Sequence, residues 1–490
     1  MLKFTVETNG PKTPLVHYWE TCVGSCHAYT ALREDYREQL TKAHRDAGFK
    51  YVRFHGLLND DMSVVVRNRN GELVYNFFNI DSIFDFLLSI GMKPFIELSY
   101  MPEALASTSA TLFHYKGNKS KPKDYAEWDA LIRKLTEHLV SRYGAEEVRS
   151  WFFEVWNEPN LRYFFEGTRE DYFELYDHTA RAIKSVDPCL SVGGPATAIN
   201  AWIPEMIEFC EKNGTPLDFI STHHYPTDDY LWSNGFVGDN LIEDLESEKI
   251  DINKMRYYER GILTKMMKKA RAEAGSYPLY YTEWNSSAMS PDHLHDKAYA
   301  AAFVTKTIID NLGMAQAYSF WTFTDIFEEQ GQLPGEFHGG FGLQTVHGIP
   351  KPTYRAFEAL HQFGDKRIPV TDEQETVGMI ASAAGNGEIC IVAYNHNIPD
   401  GEIKGQHVEV VLQDKKASAA EITLIDDEHC NPAAVYEQMG SPDSLTPKQL
   451  DILHEASKVT PAALAVEVND SSSCVRFYLP PHSVALIRIV

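Results

Sequence analysis

Eight short strand-like runs, each followed by a longer stretch of helical period, occupy the chain from about residue 14 to residue 362. This alternation restricts the fold more than any other feature. The runs are PLVHYWET (14–21), YVRFHG (51–56), KPFIELS (93–99), WFFEVWNE (151–158), SVGGPA (191–196), DFISTHHY (218–225), LYYTEWNS (279–286) and AYSFWTF (317–323). Between them lie amphipathic segments such as REDYREQLTKAHRDAG (33–48) and YAEWDALIRKLTEHLVSRYG (125–144), each closed by a glycine suited to end a helix. Strands alternating with helices predict a parallel sheet, and a count of eight predicts an α/β fold of the TIM type, a (β/α)8 barrel over 14–362. A doubly wound open sheet is the competing architecture, but no GxGxxG turn follows the first run.

Beyond about residue 365 the texture changes to strand-like runs split by turns, among them HVEVVLQD, AEITLIDD and SSSCVRFYLPPHSVALIRIV. Residues 365–490 therefore predict an accessory antiparallel β-sandwich, and MLKFTVETNG (1–10) is suited to add one strand to it. A helical excursion around 430–458 interrupts the pattern without an evident role. At 490 residues the chain is long enough for a large domain with a smaller companion.

Asp and Glu (69) exceed Lys and Arg (45), a formal charge of −24, which argues against nucleic acid or an anionic membrane as a partner. The seven cysteines are scattered and include no CxxC; Cys22 and Cys26 form a CxxxC with no second ligand cluster, so free thiols are expected and a zinc site is not. The N-terminus lacks the pattern of a signal peptide, and no run approaches the ~18 apolar residues of a membrane span, so a cytoplasmic protein is expected. Assembly into a homo-oligomer is left open.

The chemistry lies at the ends of two strands. Asn157 and Glu158 close the fourth run and Glu283 closes the seventh, and in a (β/α)8 barrel the carboxyl ends of the strands form the floor of the pocket. Two facing carboxylates are what glycoside hydrolysis needs, one to protonate the departing oxygen and one to attack or stabilise the anomeric carbon. A separation of ~5–5.5 Å predicts retention, and ~6.5–9.5 Å predicts inversion. Side chains two apart share a face, so Arg53 and His55 in VRFHG point into the barrel, as do His223 and Tyr225 in STHHYP, while His224 points outward. Arg53 is suited to keep Glu283 ionised and to pair with Glu154, which reads as a structural carboxylate.

WNEP at strand four and TEWN at strand seven resemble the retaining glycosidases built on (β/α)8 barrels. Within that clan YVRFHGLLNDDM, THHYP and HGGFGLQTVHGIPKPTYRAFEAL resemble glycoside hydrolase family 39, the β-xylosidases with α-L-iduronidase as a relative. The resemblance implies Glu158 as general acid/base, Glu283 as nucleophile and Asn157 as donor to the sugar 2-hydroxyl. It also implies that Tyr225 orients the nucleophile, that Trp321 forms a platform under the sugar, and that Glu328, or its neighbour Glu329, binds sugar hydroxyls. His55 and His223 are expected to line the substrate pocket. The activity implied is a retaining, exo-acting β-xylosidase working on xylo-oligosaccharides or aryl xylosides, with no cofactor.

Two further readings compete with it. A metal-dependent hydrolase using His55, His223, Glu158 and Glu283 has the right ligand types, but the first run offers only His17 and no HxH pair. The other is an inactive carbohydrate-binding barrel, against which both glutamates count. HGGFGL (338–343) lacks the GK[ST] ending of a phosphate loop and reads as backbone near the pocket rim.

Overall fold

The computed structural model describes residues 1–235, 252–331, 335–384 and 387–490. Eight parallel strands close into a barrel in chain order: β1 (Cys22–His27), β2 (Tyr51–His55), β3 (Lys93–Leu98), β4 (Phe152–Val155), β5 (Ser191–Thr197), β6 (Phe219–His223), β7 (Leu279–Trp284) and β8 (Ala317–Phe320). Seven of the eight expected runs coincide with these strands. The first does not: Thr13–Pro14, at the very start of PLVHYWET, pairs with Lys366–Ile368 and Tyr18–Glu20 is a 3-10 turn, while β1 is the small-residue stretch CVGSCH. Packing explains the displacement. A Cβ on Gly24 would stand 2.5 Å from Cε3 of Trp321, so this strand must be slender where the indole lies on it.

Inward-facing side chains fill the barrel in layers, because alternate residues of each strand point to its axis. At the amino-terminal end Cys22, Phe95, Phe219, Tyr280 and Ala317, with Tyr51 and Phe152, form an aromatic plug. Two residues further along β2, β3, β4 and β7 stand Arg53, Glu97, Glu154 and Thr282, each wholly buried. The pocket opens above this polar layer. Outside the strands, a continuous apolar layer including Trp19, Leu40, Trp128, Leu135, Tyr176 and Met266 seals the helices against the barrel.

Beyond the barrel, two sheets share an apolar core containing Phe4, Val6, Ile391, Val410, Val475 and Ile487. One carries four strands and the other seven. The expected N-terminal strand, Leu2–Glu7, joins the smaller sheet, but it runs parallel to Gln406–Gln413. The helical excursion resolves into Pro432–Gln438 and Pro447–Ala456. These helices bury Tyr436 and Leu453 against Phe337 and Ile349 of the segment that follows β8. That gives the excursion a structural role the sequence did not suggest.

Candidate active site

Arg53 organises the polar layer. Wholly buried, it donates through Nε to Glu154 Oε2 (2.5 Å), through Nη1 to Glu283 Oε1 (2.8 Å) and through Nη2 to Asn157 Oδ1 (2.9 Å), while Glu97 Oε2 lies 2.9 Å from Nη2. Glu97 also meets His55 Nδ1 at 2.7 Å. Burial disfavours the charged form of Glu97, but His55 and Arg53 outweigh it and its carboxyl sits below the ordinary range. Burial likewise opposes a charge on His55, yet Glu97 raises it overall. For Glu154 burial wins over Arg53, and its carboxyl is raised. Glu154 is thus the paired structural carboxylate that the sequence suggested.

Local departures from strand geometry aim the two candidate catalytic groups. Strict alternation from Glu154 would turn Trp156 inward. Positive φ at Trp156 (70°) and Glu158 (42°) breaks it. Trp156 instead stands edge-on to Tyr100 and Phe165 and donates to Phe164 O at 3.0 Å. The Glu158 N–H donates to Ala196 O at 2.8 Å. On β7 a register shift leaves Thr282 unmatched between Tyr281, opposite Thr222, and Glu283, opposite His223. Both Thr282 and Glu283 therefore reach the interior, a bulge beside a candidate site.

Glu158, His223 and Glu283 each present an atom within 4.8 Å of the other two. A closest approach this short accords with the ~5–5.5 Å carboxylate separation of retaining glycosidases. Tyr225 donates to Glu283 Oε2 at 2.9 Å, so this carboxylate is held by a tyrosine and an arginine. Glu158, 7% exposed, meets only His223, at 2.9 Å. Burial first, and then repulsion by Glu283, raises the Glu158 carboxyl well above the ordinary range.

The remaining expected residues fall into two groups. His55 keeps Nε2 toward the pocket, 3.7 Å from Glu283 Oε1, and Trp321 lies 4.7 Å from its ring. Asn157 gives its oxygen to Arg53, and its buried Nδ2 makes no hydrogen bond within the protein. His223 differs from expectation: one ring nitrogen meets Glu158 and the other Thr282 Oγ1 (3.0 Å), so neither is left for a sugar. Glu328 is also displaced, turning to Arg33 Nη1 at 3.3 Å. Glu329 takes the inner position, 3.7 Å from His55 Nε2, where burial pushes its carboxyl up to about 8.

His224 faces outward from the barrel as expected, its ring tilted against Tyr281 at 4.1 Å and bonded to the Tyr318 hydroxyl at 2.7 Å. The glycines of HGGFGL serve Asp325: a Cβ on Gly340 or Gly342 would stand within 2.6 Å of its Oδ1. Asp325 and Asp296 in turn hold the buried Lys351 at 2.7 and 2.6 Å. Glu158, His223 and Glu283 form the one cluster among the described residues with the spacing of a metal site. His55 is not part of it, although its Nε2 lies 3.7 Å from Glu283 Oε1.

Sequence reasoning missed Glu97, Thr282, Asp228, Phe113 and Phe164. Glu97 had a signal: FIEL repeats the pattern of FFEV, a carboxylate inside an apolar strand. Asp228, pushed up to about 7 by burial, accepts from the Tyr225 N–H at 2.7 Å and closes the turn after β6. Phe113 and Phe164 place their rings 6.5 Å from that of His55 and come from connecting segments, which period-based reading does not reach.

A closed (β/α)8 barrel with two carboxylates facing each other from the ends of β4 and β7 defines a barrel glycoside hydrolase. The pattern of Glycosyl hydrolases family 39 matches residues 2–470, and the chain belongs to that family. It is 50% identical over 495 aligned residues to a protein named beta-xylosidase from Caldicellulosiruptor saccharolyticus, covering 100% of this chain and 98% of that one. A beta-xylosidase of Geobacillus stearothermophilus is 37% identical over 431 residues, 86% of this chain and 83% of the relative. Among solved structures, a monomeric beta-xylosidase from Caulobacter crescentus CB15 superposes with a TM-score of 0.86 at 32% identity, covering 100% of this chain and 99% of that one. The homo-oligomer left open by the sequence gains no support from it. No described helix is long and apolar enough to cross a membrane.

Proposed function

We propose that the chain is a retaining, exo-acting β-xylosidase that releases xylose from the non-reducing end of xylo-oligosaccharides by double displacement. The observation that carries the reading is the approach of Glu158 and Glu283 within 4.8 Å over one pocket, with unequal surroundings. Glu283, fixed by Arg53 and Tyr225, attacks the anomeric carbon. Glu158, kept neutral by burial, protonates the leaving oxygen. Once Glu283 is glycosylated its charge is gone, the Glu158 carboxyl becomes more acidic, and it draws the proton from the attacking water. Asn157 Nδ2 is suited to the 2-hydroxyl, Trp321 to the apolar face of the ring, and His55 and Glu329 to its other hydroxyls.

An uncharged pentose fits because the Arg53 guanidinium beneath the pocket is committed to Glu97, Glu154 and Glu283. The names of the two curated relatives described above agree. Seven free cysteines suit a reducing cytoplasm, where imported xylan fragments would be the substrate.

A panel of nitrophenyl glycosides followed by NMR tests the reading. Hydrolysis of the β-xyloside with retained configuration is expected, and Glu283→Ala should lose turnover and regain it with azide as the inverted product. Inversion by the native protein, or ordinary turnover by Glu283→Ala, would overturn it.

A further inference from the structure

A single hydrogen-bonded chain runs from the candidate acid to the cation beneath the nucleophile. Glu158 Oε1 meets His223 Nδ1 (2.9 Å), His223 Nε2 meets Thr282 Oγ1 (3.0 Å), Thr282 Oγ1 donates to Glu154 Oε1 (2.8 Å), and Glu154 Oε2 accepts from Arg53 Nε (2.5 Å). His223, Thr282, Glu154 and Arg53 are each 0% exposed. The direction of every bond follows from its fixed end. A guanidinium can only donate, so Glu154 Oε2 accepts from Arg53, and Glu154 Oε1 accepts from Thr282 Oγ1. The threonine hydroxyl has one hydrogen, which goes to Glu154, so toward His223 its oxygen accepts. Nε2 therefore carries the imidazole hydrogen. In a neutral ring Nδ1 is then a bare lone pair, and its neighbour on Glu158 must bring the proton.

We propose that Thr282, oriented by Glu154, is a positioning residue that fixes the Nε2–H tautomer of His223 and thereby makes Glu158 a hydrogen-bond donor, the form a general acid requires. The proposal rests on the acid reading of Glu158 given above and adds its cause. A carboxyl that donates to a lone pair is stabilised in its neutral form. Neutrality of the ring is consistent with its surroundings: burial, and then the charges of Arg53 and His55 with His224 alongside, holds His223 well below the usual imidazole range. The charged groups acting on Glu158 are Glu283, Asp228, Arg53 and Glu329. None of them donates a hydrogen bond to it, so the lone pair of His223 is its one directional partner. Alternation from Tyr280 turns this hydroxyl inward, and the register shift that follows brings Glu283 in beside it.

Thr282→Val tests the chain, with Thr282→Ser as the conservative control. Without the acceptor at Nε2, His223 gains by moving its hydrogen to Nδ1, where it donates to the Glu158 carboxylate and favours the ionised form. The alkaline limb of kcat/KM on a poor-leaving-group xyloside should move to lower pH by roughly one unit, the size of one hydrogen bond. Thr282→Ser should restore it. Nitrogen-15 NMR of the histidine rings, assigned by loss of the His223 signals in His223→Gln, should show Nε2 protonated and Nδ1 bare in the native protein. A limb that stays in place in Thr282→Val, or an Nδ1–H tautomer in the native protein, overturns the proposal. The acid reading is separated by Glu158→Ala: if its losses are equal on good and poor leaving groups, that reading fails, whereas a leaving-group-dependent loss beside an unmoved Thr282→Val limb sinks only the tautomer assignment.

Discussion

One side chain shows how the site's residues are tuned by company as well as by identity. Glu329 is raised to about 8, first by burial and then by the charges of Glu283 and Glu97, with His55 opposing them. An unfolded glutamate titrates near ~4.3, so between that value and about 8 the folded protein binds a proton that the unfolded chain releases. The stability tied to this proton is present at low pH and is lost as pH rises toward 8. Glu329→Gln cannot titrate. Its melting temperature should approach that of the native protein near pH 5 and exceed it increasingly toward pH 8; parallel profiles across that range would place the penalty elsewhere. Several residues of this site were legible in the sequence. Glu158, Glu283 and Arg53 announced themselves as charges in otherwise apolar strands, and two-residue alternation placed His55 and Tyr225 correctly. The choice between Glu328 and Glu329 was not legible, because it depends on Arg33 drawing Glu328 aside. Nor was the role of His223, whose ring is claimed at both ends by partners 65 and 59 residues away.

Elements were readable where periodicity dominates, and they failed where packing overrides it. The eightfold alternation gave the barrel, yet β1 was misplaced because CVGSCH offers a single β-branched residue, Val23, among small ones, while PLVHYWET has a better pattern and a different fate. The inward turn of Glu158 and Glu283 depends on positive φ and on a one-residue register shift, neither of which alternation can reveal. The slenderness of β1 has a measurable consequence. Gly24→Ala would place a Cβ 2.5 Å from the indole of Trp321, and an overpacked core contact of this kind costs about 1–3 kcal/mol. Denaturant unfolding should show a loss in that range, and KM should rise as the platform shifts. In a Trp321→Ala background the same change should cost much less. Additive losses in that double-mutant cycle would mean that the strain does not run through Trp321.

At the scale of the molecule, barrel and sandwich meet along the helix Ala298–Asp310, where Tyr299 and Phe303 lie 5.2 and 5.6 Å from the ring of His396. His482 is 5.7 Å from His396, and Arg260 bridges the seam by donating to His396 O (3.2 Å) and pairing with Glu373 (2.5 Å). The seam thus contains two imidazoles beside a guanidinium, with the ammonium of Lys306 3.7 Å from Glu373. Burial, followed by His482, Arg260 and Lys306, holds His396 well below the usual imidazole range. Burial also lowers His482. An unfolded histidine takes up its proton near ~6.5, and a folded one with a depressed value does so only at lower pH. Below that unfolded value the unfolded chain binds more protons, so the stability that the neutral seam supplies at pH 7 is lost as the solution is acidified. His396→Phe keeps an aromatic ring against Tyr299 and Phe303 and removes the titration. Thermal unfolding followed from pH 7 to pH 5 should decline less steeply in this variant than in the native protein, whatever the offset at neutral pH. Equal slopes would show that His396 does not govern the acid response.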